Sequence, residues 1–113
     1  MRRISRKKAA HRASKAGQDG LAYMRTVKCL PCAVCGSPPP SDAHHVICGR
    51  YGSKRASDFD VIPLCKAHHQ NGPDAIHRSK RRWIELFGLD TDYLDRTRRL
   101  VGSMEGRNDH DDI

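Results

Sequence analysis

Apolar residues are sparse along this chain and fall in short, separated patterns. Leu21, Met24 and Val27 recur at i, i+3 and i+6, which predicts a short helix over residues 20–29 with one apolar face. Leu30-Pro31 ends it, and Gly36-Ser37-Pro38-Pro39-Pro40-Ser41 reads as a stiff turn. Ala43 to Ile47 reads as a strand. Val61-Ile62-Pro63-Leu64 reads as a second short strand, with Pro63 marking an edge or a strand end. A helical turn is expected to open near Cys65, interrupted by Gly72-Pro73. Trp83, Ile84 and Phe87 form the apolar face of a helix from about Ser79 to Phe87, stopped by Gly88. Asp90-Thr91-Asp92 offers an N-cap for a last helix to about Val101. Leu94 and Leu100 supply that helix with little core, so it is expected to dock weakly. The pattern is that of a small α+β domain over residues 20–101, without internal repeats.

The two ends lack this patterning. Residues 1–19 carry Arg2, Arg3, Arg6, Lys7, Lys8, Arg12 and Lys15 against the single acid Asp19, with Ile4 the only large apolar residue. Such a stretch cannot bury enough surface to order itself and reads as a flexible basic arm. Residues 102–113 read as a polar, acidic tail expected to be disordered.

Composition sharpens the problem of stability. Only 37% of the 113 residues are hydrophobic. A core of this size usually supplies only ~3–5 kcal/mol, so a staple is expected. Five cysteines, an odd number, accompany seven histidines, a mixture that favours metal over a disulfide framework. No run is apolar enough to span a bilayer, and the simplest expectation is a soluble, cytoplasmic protein. The formal charge of +8, from 21 Lys+Arg against 13 Asp+Glu, points to a polyanion. Nucleic acid is favoured over a membrane, because the basic stretch has no apolar face. A merely soluble basic protein is the plainer alternative.

The candidate chemistry lies in two close pairs, Cys32-x2-Cys35 and Cys65-x2-His68. Zinc takes four tetrahedral N or S ligands, and two such pairs are a common way to supply them. Cys32, Cys35, Cys65 and His68 are therefore expected to hold a structural zinc, whose binding energy becomes folding energy. His69 is an alternative to His68, since i+3 and i+4 both return to the face of Cys65. Cys29 and Cys48 read as small structural residues, Cys29 as a buried hydrophobe. Four histidines then remain near the clamp: His44, His45, His69 and His77. On a helix His68 and His69 point about 100° apart, and on a strand His44 and His45 diverge to opposite faces. That geometry favours a division of roles, one imidazole holding a metal and another acting as a base. A second structural zinc is the plainer reading. Between the strands, the loop from Gly49 to Asp58 carries Arg50, Lys54 and Arg55, suited to a phosphate backbone.

The order Cys-x2-Cys, His-His, then an acid shortly before Pro-Leu-Cys-x2-His-His resembles the ββα-metal arrangement of the HNH (His-Me finger) endonucleases. Leu30-Pro-Cys-Ala-Val-Cys-Gly36, Asp42-Ala-His-His-Val46, Lys54-Arg-Ala-Ser-Asp58 and Ile62-Pro-Leu-Cys-Lys-Ala-His-His-Gln70 are similar to the phage recombination enhancement function (Ref-like) nucleases. Ile76-His77 and Trp83 to Gly88 fit as well, so the resemblance spans about residues 21–94. It implies a zinc-stabilised ββα-metal domain and metal-dependent DNA cleavage by a phage-encoded, recombination-associated enzyme. It assigns His45 as general base and His44, His69 and His77 as candidate ligands of a catalytic Mg²⁺, Mn²⁺ or zinc. Where the HNH pattern usually has Asn, this chain offers Asp58 or Asp60. Asp58 matches the Ref-like pattern better and would orient His45. A RecA-type recombinase filament is a partner by the same resemblance. The competing function classes are a zinc-dependent nucleic-acid-binding module without catalysis and a phage assembly protein that keeps the fold.

Overall fold

Ser14 sets where the first helix begins. Its hydroxyl accepts a hydrogen bond from the Gly17 N–H at 3.1 Å, satisfying one of the donors that a helix N-terminus leaves without a partner. The computed structural model describes residues 14–49 and 56–111. In it α1 spans Lys15–Lys28 and ends at Cys29. Lys15 to Asp19, which their charge assigns to a flexible arm, are thus the first turn of a packed helix. Their side of α1 is kept thin by Gly17 and Gly20, both buried, which lets a polar segment lie against the domain without an apolar stripe. Residues 1–13 lie outside the described residues. Cys29 is exposed rather than buried; it closes the helix, with its Sγ 3.4 Å from the Arg25 carbonyl.

Two short strands follow, β1 (Asp42–His45) and β2 (Val61–Leu64), paired antiparallel. The register sets Asp42 opposite Leu64, Ala43 opposite Pro63, His44 opposite Ile62 and His45 opposite Val61. All four residues of β2 are buried, because its two faces enter different cores. Val61 packs with Val27, Leu30 and Val101. Ile62 and Leu64 pack with Cys32, Val46, Ile76 and Trp83. Side chains alternate along a strand, so His44 belongs to the Trp83 side and His45, with Ala43, to the α1 side. β1 starts one residue earlier than the expected strand Ala43 to Ile47 and stops two residues sooner. Val46 N–H still reaches the Asp60 carbonyl at 3.0 Å, but the N–H groups of Ile47 and Cys48 leave the ladder for the carboxylate of Asp90.

After β2, Ala67–Asn71 form a π-helical turn closed by a hydrogen bond from Gly72 N–H to the Ala67 carbonyl. A Cβ on residue 72 would overlap that carbonyl, which explains glycine there. α2 (Lys80–Phe87) begins at Ser79, whose hydroxyl accepts from Arg82 N–H, and stops at Gly88 with φ 84°. Trp83 is its fully buried anchor, with Phe87 packed against it.

The last helix departs most from its sequence pattern. Asp90 is not an N-cap: it is completely buried in a 3-10 turn, Asp90–Tyr93, and its carboxylate faces β1. α3 then runs Leu94–Asp111, through the segment expected to be a disordered tail. Nor does it dock weakly, since Val101 and Thr97 are buried, Val101 against α1 and β2. One well-placed valine anchors this helix better than the exposed Leu100 suggests. Among the described residues no helix is long and apolar enough to cross a membrane.

Candidate functional site

The turn from Cys32 to Gly36 is held by Gly36 N–H donating to the Cys32 carbonyl at 2.9 Å, with Gly36 at φ 73°. It brings Cys32 and Cys35 round to face Cys65 and His68, which follow β2. One ligand atom from each of these four residues lies within 4.8 Å of the others, so the cluster could hold a metal ion. Cys35 Sγ and Cys65 Sγ are 3.7 Å apart. Two thiolates on one tetrahedral zinc at ~2.3 Å would be separated by about 3.8 Å. The donor set is therefore already near its liganded spacing. Hydrogen bonding from the Ser37 hydroxyl, 3.0 Å away, brings the Cys35 thiol down to about 6, whereas burial pushes Cys65 up. Cys48 is buried and outside the cluster.

His68 and His69 separate cleanly. His68 Nδ1 is 3.1 Å from Cys65 Sγ, and His69 points away into a second cluster with His44 and His77. The N–H groups of both residues donate to the Cys65 carbonyl, at 3.1 and 2.9 Å, at the start of the π-helical turn. Ring nitrogens of His44, His69 and His77 lie within 4.8 Å of one another, with His69 Nε2 and His77 Nε2 at 3.1 Å.

The two buried members of this cluster are each backed by a carboxylate. His69 Nδ1–H donates to Asp42 at 2.9 Å, and His44 Nε2–H donates to Asp90 at 2.9 Å. Such carboxylate partners fix the tautomer and the ring orientation of metal-binding imidazoles. They leave lone pairs on His69 Nε2 and His44 Nδ1. His44 Nδ1 is buried and has no hydrogen-bond partner among the described residues. A buried imidazole nitrogen without a partner, beside two other ring nitrogens, fits a cation. Burial pushes the Asp90 carboxyl up, but the hydrogen bonds from His44 and from the N–H groups of Ile47 and Cys48 outweigh it and hold the group at about 2. Burial likewise opposes ionisation of Asp42, and the hydrogen bond from His69 with the charge of Lys66 brings it below its usual value. Burial lowers His69.

His45 faces the other way, as alternation requires. Its Nε2–H donates to Asp58 Oδ1 at 2.9 Å, which sets the basic lone pair of the neutral ring on Nδ1. Asp60 is not its partner; that carboxylate pairs with Arg98 of α3. Gly20 of α1 lies against Asp58, and a Cβ there would come within 2.8 Å of Asp58 Oδ2. A hollow of about 280 Å³ is lined by Ala43, His44, His45, Ile47, His69, Gln70 and His77, so His45 and the three-histidine cluster open onto one space. Arg50, Lys54 and Arg55 lie outside the described residues.

The sequence reading missed Asp42 and Asp90 as members of the site. Asp42 had a signal, since it lies two residues before His44 and so on the same face of a strand. Asp90 had none, because nothing local ties it to a histidine 46 positions away.

No solved structure matches the chain. Over 77 residues, 66% of its length, the chain is 50% identical to the uncharacterized protein YdfU of Escherichia coli (strain K12), and the match spans only 20% of that relative. Residues 11–100 match a family described as proteins of unknown function, so the chain, with its two candidate metal clusters inside the matched region, belongs to the DUF968 family.

Proposed function

We propose that this chain is a metal-dependent DNA endonuclease of the HNH kind. In this reading Cys32, Cys35, Cys65 and His68 hold a structural zinc, and His44, His69 and His77 hold the working divalent ion. The observation that carries it is the divergence of adjacent strand residues: His44 enters a carboxylate-backed imidazole cluster while His45 pairs with Asp58, and both line one hollow.

A bound divalent ion would supply positive charge for a phosphodiester oxygen and its leaving group. The protein's own part is proton handling and orientation. His45 Nδ1 takes the proton from an attacking water, and Asp58, on the opposite ring nitrogen, steadies the imidazolium that results. Asp42 and Asp90 keep the His69 and His44 rings from turning. Three imidazole donors favour zinc or another transition ion over fully hydrated Mg²⁺, with Mn²⁺ between them. Three protein ligands also leave a position open, as catalytic sites do and closed structural sites do not. The net charge of +8 supports a nucleic acid as the substrate.

The test is plasmid nicking by the full chain across Mg²⁺, Mn²⁺ and Zn²⁺, with His45→Ala beside the wild type. His45→Ala is expected to lose roughly 10²–10⁴-fold in rate, the usual contribution of a general base, while bound zinc and melting temperature stay near wild type. Wild-type protein that cuts neither single- nor double-stranded DNA with any of these ions would leave a zinc-dependent binding module. A recombinase filament as partner is tested in the same assay by its effect on the nicking rate.

A further inference from the structure

Leu21, Met24, Arg25 and Lys28 stand at i, i+3, i+4 and i+7 of α1, so they share one stripe of the helix. With Ala43 and His45 of β1 they line a second hollow of about 340 Å³. Ala43 and His45 also line the hollow of the three-histidine cluster, so the two spaces adjoin and His45 stands between them. Arg25 and Lys28 are exposed and make no ion pair among the described residues. Leu21 is 38% exposed, and Met24 is half-buried beside it. The far space therefore has an apolar wall, two unpaired cations and a histidine at its inner edge.

That combination suits one occupant. A nucleotide next to a bond held at His45 would carry its phosphate past the cations and lay its sugar and base on apolar surface. We infer that this stripe of α1 is a nucleic-acid subsite, with Arg25 and Lys28 holding the phosphate that flanks the scissile bond and Leu21 and Met24 supporting the adjoining sugar. The inference takes the place of the scissile bond at His45 from the nuclease reading; the cations and the apolar wall of the surface do not depend on it. The contrasting role for Arg25 and Lys28 is local, since cations in the last turn of a helix favour its C-terminal dipole.

Binding separates the two. The full chain carrying His45→Ala, which leaves DNA intact, is titrated against a fluorescein-labelled 20-nucleotide strand and its duplex over a range of salt. Adding Arg25→Ala and Lys28→Ala is expected to weaken binding to all sequences alike and to make the salt slope shallower by roughly 1 for each residue. The control removes the same charge from α3, as Arg96→Ala with Arg99→Ala, and is expected to change the slope less. Unchanged affinity and slope in the α1 variant overturn the subsite, as does an equal loss in the α3 control. A lower melting temperature with unchanged binding leaves only the helix-dipole role and also overturns it. Wild-type protein that binds through α1 yet never cuts would sink the nuclease reading and leave the subsite standing.

Discussion

The two candidate metal clusters of this chain meet at adjacent residues, His68 and His69, and are built on opposite principles. The cysteine clamp has four donors drawn from two short turns, each pair three residues apart in sequence. Its spacing is set locally, by the Gly36 turn and by the chain leaving β2. The histidine cluster has three donors drawn from β1, the π-helical turn and the segment before α2, and its shape depends on the carboxylates of Asp42 and Asp90, each far in sequence from the histidine it holds. The clamp is closed and can hold parts together. The histidine cluster has two buried members and one exposed, so an ion held there would keep a side toward solvent.

The largest effect is expected from breaking the clamp. Cys35→Ser should lose the bound metal and, with it, a free energy that in small zinc domains is on the order of 10–16 kcal/mol. The cooperative thermal transition followed by circular dichroism should disappear. A cooperative melt in the metal-free variant would show that the clamp is not the staple.

Asp90→Ala comes next. It strands the His44 N–H and two backbone N–H groups in the interior, and removing one partner of a buried pair costs about 3–5 kcal/mol. The loss should appear in denaturant unfolding of the zinc-loaded protein. The sign with pH follows from the carboxyl's depression from 3.8 to about 2. Its stabilisation is complete above about pH 4 and drains only as pH falls toward 2, so the gap between Asp90→Ala and wild type should stay at full size across the higher pH range in which zinc remains bound.

His77→Ala should do the reverse of Cys35→Ser. His77 is exposed, and a surface substitution of this kind costs about 0.5 kcal/mol or less. One metal per chain should remain by atomic emission while the second is lost and nicking fails. Loss of both ions, or a large drop in stability, would mean that the two clusters are not divided as described.

What was legible in the sequence follows the same division. The clamp could be read because its ligands come in spaced pairs, a signal that survives without knowledge of the fold. The separation of His68 from His69 was visible as a choice, and the π-helical turn resolves it. The ends of the elements were harder. Lys15 to Asp19 look like an arm because their packing relies on glycines, and α3 looks weak because its anchor is one valine. Asp90 was invisible as a site residue because its role is a tertiary contact, whereas strand alternation already set Asp42 on the face of His44.

The shared carbonyl of Cys65 has a further consequence. It accepts from the N–H of His68 and of His69, and the turn that follows is closed so tightly that only glycine fits at residue 72. An ion seated in either cluster therefore restrains the backbone that presents the other. Such coupling is reciprocal: whatever free energy zinc in the clamp lends to binding at the histidines, an ion at the histidines returns to the clamp. Loss of an ion from the clamp should therefore weaken binding at the histidines, whereas loss of an ion from the histidines should cost the clamp only that same small free energy.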